Sequence, residues 1–283
     1  MPMSKVSGKD RAKGAASVLF VPGSRPERFA KAAAAGADVV CVDLEDAVPA
    51  DGKEAARHAA IAAIAPRIAI RVNGVATAAG LADLLALAAA PELPELIFVP
   101  MVESAEELRI ARAVLGEAAA LVPLIETPRG LRRAAEIASA PGVAAMMFGG
   151  GDLSASLGVA LAWEPLAVAR AQFVIACAEA GVPAIDVPFI ALDDAEGLER
   201  ETRLAKRAGF QAKAAIHPAQ LEAIHAVMRP GAAEVAEAEA ALAAYEAAGG
   251  GAVRFNGRML EAPMVRRYAA IVAMAGNRET EDA

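Results

Sequence analysis

The chain is poor in the residue types that announce many functions. Only 2 of its 283 residues are cysteine, Cys41 in an apolar run and Cys177 in a helical one. That excludes a disulfide framework and fits two small buried hydrophobes in a reducing cytoplasm. Aromatics make up 4% of the residues, too few for base-stacking platforms. The net charge is −7, from 28 Lys+Arg against 35 Asp+Glu, with no long basic run. Nucleic acid is therefore excluded as the expected partner. The 3 histidines, His58, His217 and His225, stand apart. No Cys/His cluster has zinc-ligand spacing, and no GxSxG nucleophile elbow is present. Apolar runs are broken by charge or proline well short of the roughly 20 residues a membrane span needs. Residues 1–16 are polar and basic with no apolar stretch. They read as a disordered leader and not as a signal peptide.

What the chain does have is carboxylates at the ends of short apolar runs. VVCVDLED carries Asp43, Glu45 and Asp46, LVPLIETPRG carries Glu126, and AAMMFGGGD carries Asp152; a fourth run, IAIRVNG, ends in Arg71 and Asn73. Continuous apolar runs of this length read as parallel strands covered on both faces. Eight are expected, at 18–22, 38–43, 68–72, 96–101, 121–125, 143–148, 184–188 and 213–217. Ala-rich segments at helical spacing lie between them, among them 26–35, 53–63, 104–115, 130–138, 165–180 and 194–208. Eightfold strand–helix alternation predicts an α/β fold, a closed (β/α)8 TIM barrel over 17–218. A doubly wound open sheet is the alternative. It has fewer strands and needs a Gly-rich phosphate turn after strand 1, which Pro22-Gly23-Ser24-Arg25 is not. Residues 219–283 read as a C-terminal helical extension. It comprises helices at 219–228 and 232–247, a glycine break at 249–251, the extended piece VRFNGRMLEAP, and a helix at 263–276. Such an extension has no core of its own, which predicts an oligomer arm or a lid.

Barrels keep their chemistry at the C-terminal ends of their strands. Glu126 and Asp152 would supply two carboxylates and leave coordination positions open, as Mg2+ prefers. Gly149, Gly150 and Gly151 let a ligand approach closely. The plain alternative is that Asp152 only caps the following helix. Arg71 can hold a carboxylate or an enolate, or pair with Asp43 or Glu45, and both readings can hold together. Asp43 and Glu45 share one face of the extended chain. With Asp46 they form a cluster that cations or donors must meet, although Asp46 also suits an acidic first helical turn. His217, in AIHP, reads as a structural hydrogen bonder.

These residues sit in motifs that resemble a known family. PGSRPERFAKAAAAGADVVCVDLEDAV, RVNG, VESAEEL, LIETPRG, GGGDLSASLG and GFQAKAAIHPAQ occur in the order seen in the HpcH/HpaI aldolase and citrate lyase β-subunit superfamily. The chain resembles its CitE-like branch, which includes malyl-CoA and citramalyl-CoA lyases. The resemblance implies a Mg2+-dependent enzyme, with Mn2+ as a possible substitute, that makes or breaks a C–C bond beside a CoA thioester. By that resemblance Glu126 and Asp152 are the metal ligands, and Arg71 faces the keto or carboxylate end of the substrate. Asp43 and Glu45 order Arg71 and metal-bound water. Arg25 and Lys31 face the CoA phosphates, and Glu261 is a catalytic acid carried into a neighbour's site. The implied partners are a small acyl-CoA and a keto acid, and the implied state is a cytoplasmic homo-oligomer, a trimer or hexamer. Rival readings are a citrate lyase β-subunit acting on an acyl-carrier thioester, and a non-catalytic binding barrel. The chain departs from the family at Glu261, where aspartate is usual, at Met101, where many relatives have lysine, and at Gly151.

Overall fold

A computed structural model of the chain describes residues 7–279. Eight parallel strands close into a barrel in sequence order. They are β1 (Ser17–Pro22), β2 (Val39–Asp43), β3 (Ile68–Arg71), β4 (Ile97–Val99), β5 (Leu121–Ile125), β6 (Met146–Phe148), β7 (Ala184–Asp186) and β8 (Ala212–Ala215). The closing pair is β1 with β8, in the register Val18↔Ala214. Each expected apolar run overlaps one of these strands, with ends that differ by up to three residues.

Alternate residues of each strand fill the barrel. Val18, Cys41, Ala69, Phe98, Val122, Leu124, Met147, Ile185, Ala212 and Ala214 form one buried cluster. Period-2 alternation along a barrel strand sends the next inward residue toward the C-terminal mouth. That progression runs from Cys41 to Asp43, from Ala69 to Arg71, and from Leu124 to Glu126, so the same alternation that builds the core delivers the charged groups to one rim.

The helices in chain order are α1 (Gly8–Gly14), α2 (Phe29–Ala34), α3 (Lys53–Ala62), α4 (Ala78–Ala88), α5 (Ala105–Leu115), α6 (Pro128–Arg132), α7 (Ala134–Ala138), α8 (Gly150–Leu157), α9 (Trp163–Ala180), α10 (Ala195–Ala208), α11 (Leu221–Met228), α12 (Ala232–Ala247) and α13 (Ala262–Glu279). Three of them start alike. The side chains of Thr77, Thr127 and Asp194 each accept a bond from the N–H of a glycine three residues on. A side-chain acceptor at the N-cap satisfies a donor the helix leaves open.

Two expectations need correction. The leader is not disordered from residue 8 onward, because α1 forms there. Ser7 accepts the N–H of Asp10, Arg11 pairs with Glu95 at 2.7 Å, and Ala12 and Ala15 bury against the interior cluster. A short apolar stripe with the whole barrel floor as partner outweighs a polar composition. Residues 1–6 of that leader lie outside the described residues. The second correction concerns the boundary at 218/219. The chain divides into compact units between His225 and Ala226. The first turns of α11 thus belong with the barrel, where Leu221 and Ile224 are buried and His225 Nε2 lies 2.7 Å from Ser17 Oγ.

In the second unit α12 and α13 pack together beside an antiparallel hairpin, β9 (Val253–Phe255) and β10 (Arg258–Leu260). Its turn is Asn256-Gly257, with φ of 47° and 77°. Left-handed φ at both positions is the two-residue turn that asparagine and glycine tolerate best. Few side chains of this unit are buried beyond Ala238, Ala241 and Leu260.

Candidate active site

The C-terminal mouth of the barrel holds a cavity of about 320 Å³. Asp43, Asp46, Arg71, Glu126 and Asp152 all line it, so five of the residues singled out by sequence converge there. A larger hollow of about 490 Å³ lies within the second unit, against Glu237, Arg258, Arg267 and Tyr268. It brings no carboxylates together, so the smaller cavity is the candidate for chemistry.

Arg71 is the centre of charge. Its Nε and Nη2 donate to Asp43 Oδ1 and Oδ2, each at 2.7 Å. Its Nη1 lies 2.9 Å from Glu45 Oε2, and Nη2 lies 3.7 Å from Asp46. Phe20 sits beneath the guanidinium, 5.4 Å from ring centre to charge. Burial alone would lower the arginine's pKa, but the hydrogen bond and charge of Asp43, with the charge of Glu45, hold it above its usual value. A two-pronged planar contact fixes orientation as well as charge. Asp43 also accepts the N–H groups of Glu45 and Ala47, so its oxygens serve the turn and the arginine together.

Two neighbouring carboxyls are pushed the other way. Burial raises Glu45 to about 8, against the opposing charge of Arg71 and with help from Glu126. Burial likewise raises Glu126 to about 7, opposed by the Met101 N–H and Arg71 and reinforced by the charges of Asp152 and Asp46. A carboxyl held near neutrality by desolvation can carry a proton or wait for a cation.

Glu126 is positioned from two sides. Its Oε2 accepts the Met101 N–H at 2.7 Å, a donor aimed by the left-handed backbone of Met101, φ 56°. Opposite stands Gly149, where an added Cβ would come within 2.0 Å of Glu126 Cγ. Only glycine fits. Asp152 lies in the first turn of α8, whose N-cap is Gly149 with no side-chain cap. The helix-cap alternative therefore does not account for Asp152.

The donor set suits a hard divalent cation. Among the described residues no group of three or more His, Cys, Asp or Glu gathers as a ligand cluster. An ion would take oxygens from Glu126 and Asp152 and complete its shell with water and substrate, which matches the habits of Mg2+. Glu126 Oε1 carries no hydrogen bond among the described residues, so it is available.

The other expected residues lie elsewhere. Arg25 pairs with Glu27 at 2.5 Å and is half-exposed, and Lys31 is exposed on α2; neither lines the cavity. Glu261 is exposed in the second unit, where its carbonyl accepts the N–H groups of Met264 and Val265 in α13. His217 Nδ1 accepts the Ala219 N–H, the structural role expected of it. Lys213 is fully buried and donates to Asp186, Glu201 and the Val187 carbonyl. It is not poised for Schiff-base chemistry. Burial raises the thiol pKa of both cysteines, Cys177 to about 12.

Sequence reading missed one supporting residue. Asp83, fully buried on α4, accepts both the backbone and side-chain N–H of Asn73 and pairs with Arg57 at 2.6 Å. It holds the turn that follows Arg71. The signal was a lone aspartate in the apolar helix LADLLALA.

Known proteins resemble this chain in sequence and fold. The sequence profile of the HpcH/HpaI aldolase/citrate lyase family matches residues 16–218, and that of a C–C bond lyase of the TIM-barrel fold matches 163–277. A citrate lyase subunit beta-like protein of Mycobacterium tuberculosis is 36% identical over 93% of this chain and 96% of its own. A (3S)-malyl-CoA thioesterase of Cereibacter sphaeroides is 35% identical over 87% and 89%. An L-malyl-CoA/beta-methylmalyl-CoA lyase of Rhodobacter capsulatus is 33% identical over 91% and 93%. The solved structure of CitE from Mycobacterium tuberculosis, in complex with magnesium, acetoacetate and coenzyme A, is 35% identical. It covers 93% of this chain and 99% of that one, with a TM-score of 0.80.

Proposed function

Since the chain belongs to the HpcH/HpaI aldolase/citrate lyase family, a family of carbon–carbon lyases, we propose that it cleaves a 3-hydroxy-3-carboxyacyl-CoA. The substrate is of malyl-, methylmalyl- or citramalyl-CoA type, and the products are an acyl-CoA and a 2-oxo acid. The observation that carries this reading is the convergence of Glu126, Asp152 and the Asp43-locked Arg71 on one cavity. Glu126 and Asp152 hold Mg2+. When bound, Mg2+ supplies Lewis-acid polarisation of the 2-hydroxy acid.

The chain's own groups do the rest. Cleavage removes the hydroxyl proton, breaks the C–C bond and leaves its electron pair on the carbon beside the thioester. Asp46, exposed at the cavity edge and 3.7 Å from Arg71 Nη2, is the carboxylate placed to take that proton, since Asp43 is bound to Arg71 by two hydrogen bonds. Arg71 keeps positive charge fixed where negative charge develops, and needs no reorganisation because Asp43 and Phe20 hold it. Glu45 lies 2.9 Å from Arg71 Nη1 and, with Asp43, keeps the guanidinium in place. Glu261 of a neighbouring subunit, in a trimer or hexamer, returns a proton to the enolate. Arg25 and Lys31 meet the CoA phosphates.

A second reading is thioester hydrolysis, favoured by the malyl-CoA thioesterase relative at comparable identity. One experiment separates the two. Purified protein with Mg2+ is given malyl-, methylmalyl- and citramalyl-CoA, and free thiol, acyl-CoA and 2-oxo acid are measured. Lyase activity yields 2-oxo acid and acyl-CoA in equal amounts without free thiol. Free thiol without 2-oxo acid would overturn the lyase reading in favour of hydrolysis.

A further inference from the structure

The cavity has two unlike sides. The strands β2, β3 and β5, with Asp152 at the start of α8, contribute its charge, while the loop after α8 and the ends of β7 and β8 contribute the apolar Leu161, Val187, Pro188, Ile190 and Ile216. This apolar wall stands against the metal loop. A Cβ on Gly150, two residues before Asp152, would meet Leu161 Cδ1, Val187 Cγ1 and Phe148 Cε1, each at 3.2 Å. Among the described residues lining the cavity Arg71 is the sole cation. Asp43, Glu45 and Asp46 already surround it.

The substrate's reacting carbon carries four groups. Its hydroxyl and carboxylate belong with the ion and Arg71. Its bond to the thioester arm must leave through the mouth, because a cavity of about 320 Å³ takes the head of the molecule and not a coenzyme A. The fourth substituent is left facing the wall. A second carboxylate there would be desolvated with no cation to meet it, beside a cavity already lined by four carboxylates. A methyl group would replace water against hydrocarbon.

We infer that Leu161, Val187 and Ile190 form the specificity subsite for that substituent, and that they select a small hydrocarbon group, so that the 2-oxo acid released resembles pyruvate and not oxaloacetate. This rests on the lyase reading and narrows it, against a citryl-type substrate. A single methyl in an apolar pocket is worth about 10- to 200-fold in selectivity.

The test is calorimetric titration of the full-length protein, with Mg2+ present, against glyoxylate, pyruvate and oxaloacetate. Pyruvate is expected to bind about tenfold or more tighter than either. Leu161→Ala is expected to lower the pyruvate-to-glyoxylate ratio about tenfold. Ile190→Ala, at a side chain 60% exposed and so without risk to folding, is expected to lower it severalfold. Oxaloacetate binding as tightly as pyruvate, or a ratio unchanged in both variants, overturns the subsite. The same protein is then given citramalyl-CoA. If no pyruvate and acetyl-CoA form while the binding order holds, the lyase reading fails and the subsite stands; if both form in equal amounts while oxaloacetate binds best, the subsite fails and the lyase reading stands.

Discussion

Loading the site with Mg2+ should expel a proton, in an amount the structure sets. Glu126 is displaced from 4.5 to about 7, chiefly by burial. A metal ligand must be deprotonated, so binding and proton release are linked. With that pKa, Glu126 is about 90% protonated at pH 6 and about 10% protonated at pH 8. Mg2+ binding should then release about 0.9 proton at pH 6 and about 0.1 at pH 8, and the apparent Kd should be about tenfold weaker at the lower pH. The sign for the metal-free protein follows from the same displacement. The folded pKa lies above the unfolded one, so the stabilising contribution is complete below about pH 4.5 and is lost as pH rises through about 7. The loss amounts to roughly 3 kcal/mol, and Mg2+ should restore it, so its effect on Tm should grow with pH. Calorimetry in two buffers of different ionisation enthalpy counts the protons. Glu126→Gln should abolish the pH dependence, while Asp152→Asn should weaken binding at both pH values and leave the tenfold ratio. Equal proton release at pH 6 and 8, or a tenfold ratio that survives Glu126→Gln, would refute the assignment of Glu126 as a desolvated ligand.

Three further outcomes are expected. Arg71→Lys keeps the charge but loses the two-pronged contact with Asp43. It should lower kcat about 100-fold as well as raise KM; steady-state kinetics showing a KM effect alone would reduce Arg71 to an anchor. Gly149→Ala drives a Cβ to within 2.0 Å of Glu126 Cγ, and should weaken Mg2+ binding about 10- to 100-fold in a protein whose circular dichroism is unchanged; unaltered metal affinity would show that Glu126 moves aside freely. Mixing Arg71→Ala with Glu261→Gln protein after verified subunit exchange should recover activity that neither has alone, and no recovery would exclude donation of Glu261 in trans.

How much of this was legible in the sequence depends on what each residue needs. Strands announce themselves because a barrel wall covered on both faces has to be apolar throughout, so eight runs gave eight strands. The site acids were legible for the related reason that a charge ending such a run has only the rim to go to. Alternation then decides which charges share the cavity: Asp43, Arg71 and Glu126 each follow an inward core residue by two positions. The leader was misread because composition reports what a segment is, not what it lies against, and Ala12 and Ala15 find the barrel floor.

The supports of the site are the least legible part, because they act through backbone or from far along the chain. The donor that holds Glu126 is the N–H of Met101, 25 residues away. A backbone donor has no residue type, so the absence of lysine at Met101 says nothing about that contact. Asp83, Asn73 and Arg57 form a buried group from three elements whose spacing carries no pattern. Gly149 stands among three adjacent glycines that sequence cannot rank. Geometry does rank them: Gly149 has no room beside Glu126, Gly150 touches the apolar wall, and at Gly151 a Cβ would meet nothing within 4 Å. The same run of letters thus holds one position that fixes the Glu126 carboxylate, one that touches Leu161 and Val187, and one where an added side chain would meet nothing within 4 Å.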